Sequence, residues 1–392
     1  MPADTFIGTL YTYPWDLADE GIDPALNRII DLTDCGEIWL TPCYHRSDYF
    51  LPHNPEHPIY FGENGAIYFS PELSHYAGTR VRPRVSREVT GPGYFERMVE
   101  AIDRRGLKFV SWMVYTFQDY LSQHYPEFAK HDAFGTPYVG QLSTAPADVQ
   151  DYFLALTSEV VDRFKPAAVV IESLMRRGFP LPPKRRAEIS PRCSFLLSLC
   201  FNPASLKNAR EAGMDAERFR REVIDWLRPR LARVPTAEDS SPSTAEWIAQ
   251  AFDGRLKQYL EIGRATTTAL WHRVAEVIHA SGARIQTNLA TPATVWNNDL
   301  DPSINNSIDR AIHNLASTDD EVRQEVRDLL GQMAPGGEVF VTMKAREKAE
   351  QALLATEVQA AAHAGARGGI FYNYDLLREE QLRSIGAALR SL

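Results

Sequence analysis

The chain has 392 residues, of which 44% are hydrophobic, and it carries a formal net charge of −9 at pH 7. This length and apolar content suffice for a large core, whereas nucleic acids and anionic membranes are poor partners because both bind basic surfaces. The four cysteines form no CxxC pair, which indicates reduced thiols and no zinc site. We therefore expect a cytoplasmic globular protein that binds a neutral or cationic small molecule.

The beginning of the chain has no basic segment followed by an apolar one, so we expect no signal peptide. No uninterrupted apolar run reaches about 18 residues, and we therefore expect no helix that spans a membrane.

Eight apolar runs alternate with amphipathic stretches along the chain. They predict strands at 6–11, 37–42, 108–114, 168–172, 284–289, 310–315, 338–343 and 369–374. The run at 310–315 fits a helical turn equally well. Helices are predicted at 94–105, 149–164 and 348–364, each of which ends at a glycine or proline.

Alternating strands and helices with right-handed crossovers predict an α/β fold, a (β/α)8 TIM barrel formed by one domain over residues 1–392. A doubly wound open sheet is the alternative, but no GxGxxG follows the first strand, and no cofactor is expected. Long insertions at 44–90 and 180–245 follow strands two and four, on the catalytic face of a barrel. Helices at 255–281 and 319–333 would lie outside the barrel, where their exposed faces allow a homo-oligomer.

The fourth predicted strand ends on a single carboxylate, Glu172. Ligands of parallel sheets collect at the carboxyl ends of the strands, so Glu172 lies where an enzyme places an acid, a base or a nucleophile. The alternative is that Glu172 forms an ordinary ion pair with Arg176 or Arg177.

The other strand ends predict a polar pocket rich in aromatic residues. Amides, hydroxyls and flat rings suit sugars, whose hydroxyl groups bind polar side chains and whose apolar faces stack on rings. The candidate substrate-binding residues are Tyr13, Trp15, Tyr44, His45, Arg46, Trp112, Tyr115, Asn288, Asn314, Lys344 and Asn373.

Cleavage of a glycosidic bond requires two carboxyl groups on opposite sides of the bond. Glu172 supplies one of them. We favour Asp375 after strand eight as the second, with Asp48 and Asp16 as further candidates. Asp375 is alternatively the N-cap of a helix at 376–389.

A metal site is the competing chemistry because four histidines lie in the first insertion: His45, His53, His57 and His75. Their spacing is irregular, and the sequence contains neither HExxH nor His-x-His, so we expect no metal. A serine hydrolase is also disfavoured because no GxSxG motif is present.

Several short motifs occur in an order that resembles one protein family. They are Trp112-Met-Val-Tyr115, His124-Tyr-Pro-Glu-Phe128, Asp132-Ala-Phe-Gly135, Leu142-Ser-Thr-Ala-Pro146, Cys200-Phe-Asn-Pro203 and Gly213-Met-Asp215. Together with Glu172, this order resembles the poorly characterised TIM-barrel glycoside hydrolases that are described as glycosyl-hydrolase-like or family-10-like.

The resemblance implies a barrel enzyme that cleaves a glycosidic bond of a small saccharide or glycoside, with Glu172 as the general acid/base. The chain departs from the retaining enzymes, in which the nucleophile ends strand seven, because Lys344 follows that strand here and the nearest carboxylate is Glu347. Two other functions therefore stay open. One is a sugar-binding barrel without catalysis, and the other is a metal-dependent sugar isomerase or lyase.

Overall fold

The computed structural model describes residues 6–181, 187–236, 241–291, 294–314 and 319–392. Eight parallel strands form a closed ring, because the first strand pairs with both the second and the eighth. The strands are β1 (Ile7–Thr12), β2 (Glu37–Tyr44), β3 (Lys108–Val114), β4 (Ala168–Glu172), β5 (Arg284–Thr287), β6 (Arg310–Asn314), β7 (Glu338–Met343) and β8 (Gly368–Phe371). The expected (β/α)8 barrel is confirmed.

All eight predicted strands are present, including the one that also fitted a helical turn. Residues 310–314 form β6, which pairs with β5 and β7, while residue 315 lies outside the described part of the chain. The strand interiors are buried on both sides, as in β4, where Ala168 to Ile171 are at most 5% exposed. This two-sided burial explains why the runs are continuously apolar.

Helices surround the barrel on the outside. The main ones are Ile22–Thr33, Tyr94–Arg104, Ala147–Phe164, Arg255–Ala280, Asp319–Gln332, Gln351–His363 and Glu379–Leu389. The segment between β5 and β6 is shorter and contains Val295–Asn298 and a 3-10 turn, Pro302–Ser307. None of the helices in the described ranges combines the length and the hydropathy needed to cross a bilayer.

Loops at the carboxyl ends of the first, second, third and eighth strands carry short elements. The helix Pro14–Asp19 follows β1, and the 3-10 turn Tyr374–Leu376 follows β8. The loop after β2 contains the hairpin Asp48–Phe50 with Ile59–Phe61, the short strand Ala66–Ile67 and the 3-10 turn Leu73–Tyr76. The loop after β3 contains the helix Asp119–His124, the turn Pro126–Phe128 and the hairpin Ala129–His131 with Pro137–Leu142.

The segment after β4 forms a helical unit with a hydrophobic core of its own. Its helices are Pro191–Leu197, Pro203–Glu211, Ala216–Leu231 and Ala245–Gln250. Leu196, Phe219 and Val223 are fully buried in this core, which also includes Leu256 and Leu260 of the helix Arg255–Ala280. The division of the chain into one domain with insertions at 44–90 and 180–245 stays a prediction.

A buried ion pair joins opposite sides of the barrel at the amino-terminal ends of the strands. Arg310 of β6 donates to both carboxylate oxygens of Glu37 in β2, at 3.0 and 3.2 Å. Thr9 donates to the same carboxylate at 3.3 Å, and the Arg310 Nε lies 3.3 Å from Glu338. Two charges taken out of water need mutual contact and further hydrogen bonds, which these residues supply.

We predict that Arg310→Met lowers the free energy of unfolding by about 3–5 kcal/mol, because Glu37 is left buried without its cation. The double variant Arg310→Met with Glu37→Leu should recover most of this loss, since no charge then stays unpaired. Guanidinium denaturation measures both, with the exposed Arg87→Met as the control. Equal destabilisation by the single and double variants would contradict the prediction.

Candidate active site

Glu172 ends β4 at the mouth of the barrel, and its side chain is half-buried. The indole Nε1 of Trp112, in the neighbouring strand β3, donates to the Glu172 Oε2 at 2.5 Å. Trp112 pairs in register with Val170, one layer below Glu172, so its ring extends upward to reach the carboxylate. The two strands therefore fix the position of the acid.

Burial raises the pKa of Glu172 above the usual range for a glutamate. The hydrogen bond from Trp112 and the positive charge of Arg177 oppose this shift, because both favour the ionised carboxylate. Desolvation is the largest of these effects. Glu172 therefore keeps its proton to higher pH than an exposed glutamate does.

Neither of the two arginines that follow β4 forms an ion pair with Glu172 in the described residues. The Arg176 Nε lies 2.9 Å from Asp299, away from the mouth. The Arg177 guanidinium lies 4.0 Å from the centre of the Phe117 ring and donates to the Ser173 hydroxyl at 2.8 Å. The alternative expectation of a simple Glu172–arginine pair thus has no support in the geometry.

Asp119 is the other carboxylate near Arg177. Both Glu172 and Asp119 are close enough to the guanidinium for their charges to act on it. Asp119 is half-buried, begins the short helix after β3, and accepts a hydrogen bond from the backbone N–H of Arg46 at 3.2 Å. Arg177 is thus a charged neighbour that Glu172 and Asp119 share.

Four of the predicted substrate-binding residues lie together beside Glu172, as an aromatic floor. The Tyr13 ring stacks on Trp15 with 4.2 Å between centroids, and the Tyr44 ring contacts Trp112 edge to face at 4.8 Å. All four side chains are at most 3% exposed. They form the base of the mouth, while less buried residues above them face the solvent.

Four tyrosine hydroxyls meet above this floor. The Tyr13 hydroxyl lies 3.0 Å from that of Tyr44, 2.6 Å from that of Tyr49 and 2.7 Å from that of Tyr372. Tyr372 follows β8 and is 41% exposed, and Tyr49 belongs to the hairpin after β2. This cluster offers hydroxyl groups to a ligand that enters the mouth.

His45 lies at the edge of the site, and Arg46 and Asp48 lie outside it. The His45 ring stacks on Phe117 at 4.1 Å, and burial lowers the pKa of His45. The exposed Arg46 and Asp48 pair with each other at 3.3 Å on the hairpin after β2. Asp48 is therefore occupied by its neighbour and faces solvent.

Three predicted residues follow β5, β6 and β7 on the open side of the mouth. Asn288, Asn314 and Lys344 are exposed, and Asn288 donates to the carbonyl of Ile312 at 2.9 Å. Tyr115 is different, because its ring is fully buried and its hydroxyl lies 3.0 Å from that of Thr157 in an outer helix. Tyr115 thus packs between the barrel and its helices.

Asp375 lies below the mouth and is fully buried. Its Oδ2 accepts from the Asn54 Nδ2 at 3.1 Å, and the equally buried Asp16 is its close neighbour. Burial raises the pKa of both carboxyls, and repulsion from Asp375 raises that of Asp16 further. Asn373, also fully buried, accepts from the Asp375 N–H and caps the 3-10 turn after β8. The helix that follows is Glu379–Leu389 with Arg378 at its N-cap, so Asp375 is not the cap of that helix.

Within the part of the chain that the structure describes, two groups of side chains have donor atoms that could hold a metal ion. The first comprises Asp19, Glu56 and His57, and the second comprises Glu20, His53 and Asp375, with all donor atoms of a group within 4.8 Å. His53 Nδ1 lies 2.7 Å from Glu20 and 3.3 Å from Asp375, and these carboxylates raise the pKa of His53 against its burial. A protonated His53 itself supplies positive charge to the carboxylates of Glu20 and Asp375, so this group does not require a metal ion.

The sequence did not identify Arg177, Tyr49 or Tyr372 as members of the site. Arg177 was considered only as an ion-pair partner of Glu172, and Asp119 was not among the candidates for the second carboxylate. The useful signal for Arg177, Asp119 and Tyr372 is their position near the ends of predicted strands, since β3, β4 and β8 all end at the mouth. Tyr49 had no such signal because it lies in an insertion.

No protein-family model matches the chain, and no curated protein matches it in sequence. The fold is similar to that of the β-amylase catalytic domain from Paenibacillus polymyxa, with a TM-score of 0.54, 10% identity and coverage of 97% of this chain and 95% of that one. The glycoside hydrolase domain of PgaB (BpsB) from Bordetella bronchiseptica gives a TM-score of 0.54 at 12% identity, with 97% and 98% coverage.

α-L-Fucosidase isoenzyme 2 from Paenibacillus thiaminolyticus gives a TM-score of 0.53 at 13% identity. The similarity covers 99% of this chain and 49% of the fucosidase, so the chain spans about half of that enzyme. All three structures are glycoside hydrolases by name, in agreement with the resemblance in the motifs. At this identity, the similarity concerns the fold.

We predict that Trp112→Phe raises the pKa of Glu172 further, because the variant removes the N–H donor that stabilises the carboxylate and keeps most of the ring. Titration of the glutamate side-chain carboxyl carbons by NMR measures the shift, with Glu172→Gln to assign the signal. Trp271→Phe, in the helix Arg255–Ala280, is the matched control. An unchanged pKa in Trp112→Phe would show that the hydrogen bond has no effect.

Proposed function

We propose that this chain is a glycoside hydrolase whose active site is the mouth of the barrel, with Glu172 as the general acid/base. The observation that carries this proposal is the half-buried Glu172 carboxyl, with its raised pKa, beside an aromatic floor. A carboxyl that keeps its proton to higher pH than an exposed one can donate this proton to the leaving oxygen of a glycoside. The fold, shared with a β-amylase and an α-L-fucosidase, supports this chemistry.

We propose Asp119 as the second carboxylate, in place of Asp375 and Asp48. Asp119 shares the neighbour Arg177 with Glu172, whereas Asp375 is fully buried beside Asp16, out of reach of a sugar. In the reaction, Glu172 protonates the glycosidic oxygen while Asp119 either attacks the sugar carbon or activates a water. If Asp119 attacks, the ionised Glu172 then deprotonates the water that displaces Asp119 from the sugar carbon. If Asp119 activates the water instead, Asp119 takes the proton of that water and Glu172 regains its own proton from solvent.

The proposed substrate is a small saccharide or glycoside. Tyr49 and Tyr372 offer hydroxyls on one side of the mouth, and Asn288, Asn314 and Lys344 offer hydrogen-bond donors on the other. The ring of Tyr372, which is 41% exposed, offers an accessible flat surface of the kind on which the faces of pyranose rings stack. These groups support recognition of hydroxyl-rich ligands.

Two other functions each have one observation in their favour. The end of β7 provides Lys344 and no carboxylate, which favours a sugar-binding barrel without catalysis. The group Glu20, His53 and Asp375 favours a metal-dependent sugar isomerase or lyase. A carbohydrate that binds without being consumed would support the first, and activity that is lost with chelator and restored by a divalent ion would support the second.

We predict that Glu172→Gln lowers kcat by about 10²–10⁴-fold on oligosaccharides, because the sugar leaving group then lacks its proton donor. On dinitrophenyl glycosides the loss should be much smaller, since this leaving group departs without protonation. The wild-type rate should fall as pH rises through the pKa of Glu172, and this decline should disappear in the variant. Initial rates over a range of pH on both substrate classes measure these effects.

A folded Glu172→Gln protein that keeps full turnover on oligosaccharides would overturn the role of Glu172. Circular dichroism and thermal unfolding verify the fold. Equal losses on both substrate classes would indicate a positioning role without proton transfer.

We predict that Asp119→Asn lowers kcat about a hundredfold or more, whereas Asp375→Asn keeps activity within a few-fold of the wild type. The amide of Asp375→Asn also removes repulsion with Asp16, so the variant should stay folded at neutral pH. Initial rates on the same oligosaccharide measure both variants. The opposite order of losses would identify Asp375 as the second carboxylate.

A further inference from the structure

A cavity lies apart from the proposed active site, and Glu172 does not line it. It is enclosed by the hairpin after β3, the helical unit after β4 and the helix Arg255–Ala280. Its lining includes Lys130, Leu142, Met175, Cys200, Leu260 and Ile262. Most of this surface is apolar.

Lys130 is a buried cation without a counter-ion. Its side chain is 2% exposed, and its Nζ donates to the backbone carbonyl of Arg177 at 2.5 Å. In the described residues, no carboxylate lies within ion-pair distance of Lys130. Asp299 and Arg176 also line the cavity, and they pair with each other at 2.9 Å. An ammonium group has three N–H donors, and one carbonyl satisfies only one of them.

Polar groups of the cavity wall lie close to one another. The Cys200 thiol donates to the Ser143 hydroxyl at 3.4 Å, and the Ser205 hydroxyl donates to the Cys200 sulfur at the same distance. Thr144 and Thr267 bond to each other at 2.8 Å. None of these residues carries a negative charge, and the other contact of the Lys130 Nζ is the Tyr138 ring, whose centroid lies 5.4 Å away.

We propose that this cavity binds a small organic carboxylate, which accepts hydrogen bonds from Lys130 and places its apolar part against Leu142 and Leu260. The ligand would supply the missing negative charge in a water-poor site, where charge-assisted hydrogen bonds are strong. The apolar walls favour a carboxylate with a hydrocarbon body over inorganic phosphate. This site goes beyond the proposed glycosidase and does not depend on it.

The protonation of Lys130 links this binding to pH. Burial lowers the pKa of Lys130 to about 7, and the positive charge of Arg176 contributes to the shift. The other charged or titratable groups that act on it are Asp299, Cys200 and Arg177. A carboxylate binds the ammonium form, so affinity should rise as pH falls through about 7 and decrease as pH rises above it.

Calorimetric titration of the full chain tests the proposal with straight-chain monocarboxylates of two to six carbons and their primary amides. We expect the best carboxylate to bind about tenfold or more tightly than its uncharged amide. Lys130→Met should abolish this preference. Lys207 is exposed and lies in the helical unit that borders the cavity, so Lys207→Met should retain the preference for the carboxylate.

Several outcomes would overturn the proposal. They are the absence of carboxylate binding, equal affinity for a carboxylate and its amide, and unchanged binding in Lys130→Met. Binding of inorganic phosphate alone would also overturn it and would identify a simple anion site. If Lys130→Met fails to fold, the wild-type protein can be treated with acetic anhydride, and mass spectrometry then measures the acetylation of its lysines. Bound carboxylate should slow the acetylation of Lys130 and leave that of Lys207 unaffected.

Discussion

The pairing of β1 with both β2 and β8 closes the sheet, and this closure determines which residues can meet at the mouth. In an open sheet, the ends of β1 and β8 would lie at an edge, and Tyr13 and Tyr372 could not share a hydrogen bond. The closed ring brings them within 2.7 Å, although 359 positions separate them in the chain. Residues that are remote in sequence thus become one surface.

Closure also removes water from the charged groups inside the ring. The effect on these groups differs between the amino-terminal ends of the strands and the mouth of the barrel. At the amino-terminal ends of the strands, Glu37 and Arg310 neutralise each other in a fixed pair. At the mouth, no cation of the described residues forms an ion pair with Glu172, so burial dominates and the carboxyl keeps its proton to higher pH. The same physical effect favours a fixed ion pair at one end and a raised carboxyl pKa at the other.

The sequence was sufficient for the barrel and for part of the site. Continuous apolar runs such as that of β4 reflect burial on both faces, and Glu172 is recognisable because it interrupts one at its end. Arg310 made β6 ambiguous, because a charge at the start of a strand is acceptable only where a partner such as Glu37 lies inside the ring. That partner is 273 residues away, beyond the reach of local patterns.

The depth of a side chain was harder to predict than its position along a strand. Asp375 follows β8 as expected, but the chain turns inward there, and Asn54 from the first insertion covers its carboxyl. The conformations of the loops after β3 and β4 bring Asp119 near Arg177, which packs on the Phe117 ring. Hydrophobic periodicity in the sequence carries no information about such loop conformations. The positions of side chains in these loops are therefore the part of the candidate site that could not be predicted from the sequence.

The helical unit after β4 buries its apolar residues within itself and along one end of the helix Arg255–Ala280. Substitutions inside such a unit are absorbed locally, because few of its contacts reach the strands. Selection can then reshape this unit while the ring keeps its geometry. A chain built in this way can diverge far in sequence from other barrels and still retain their architecture.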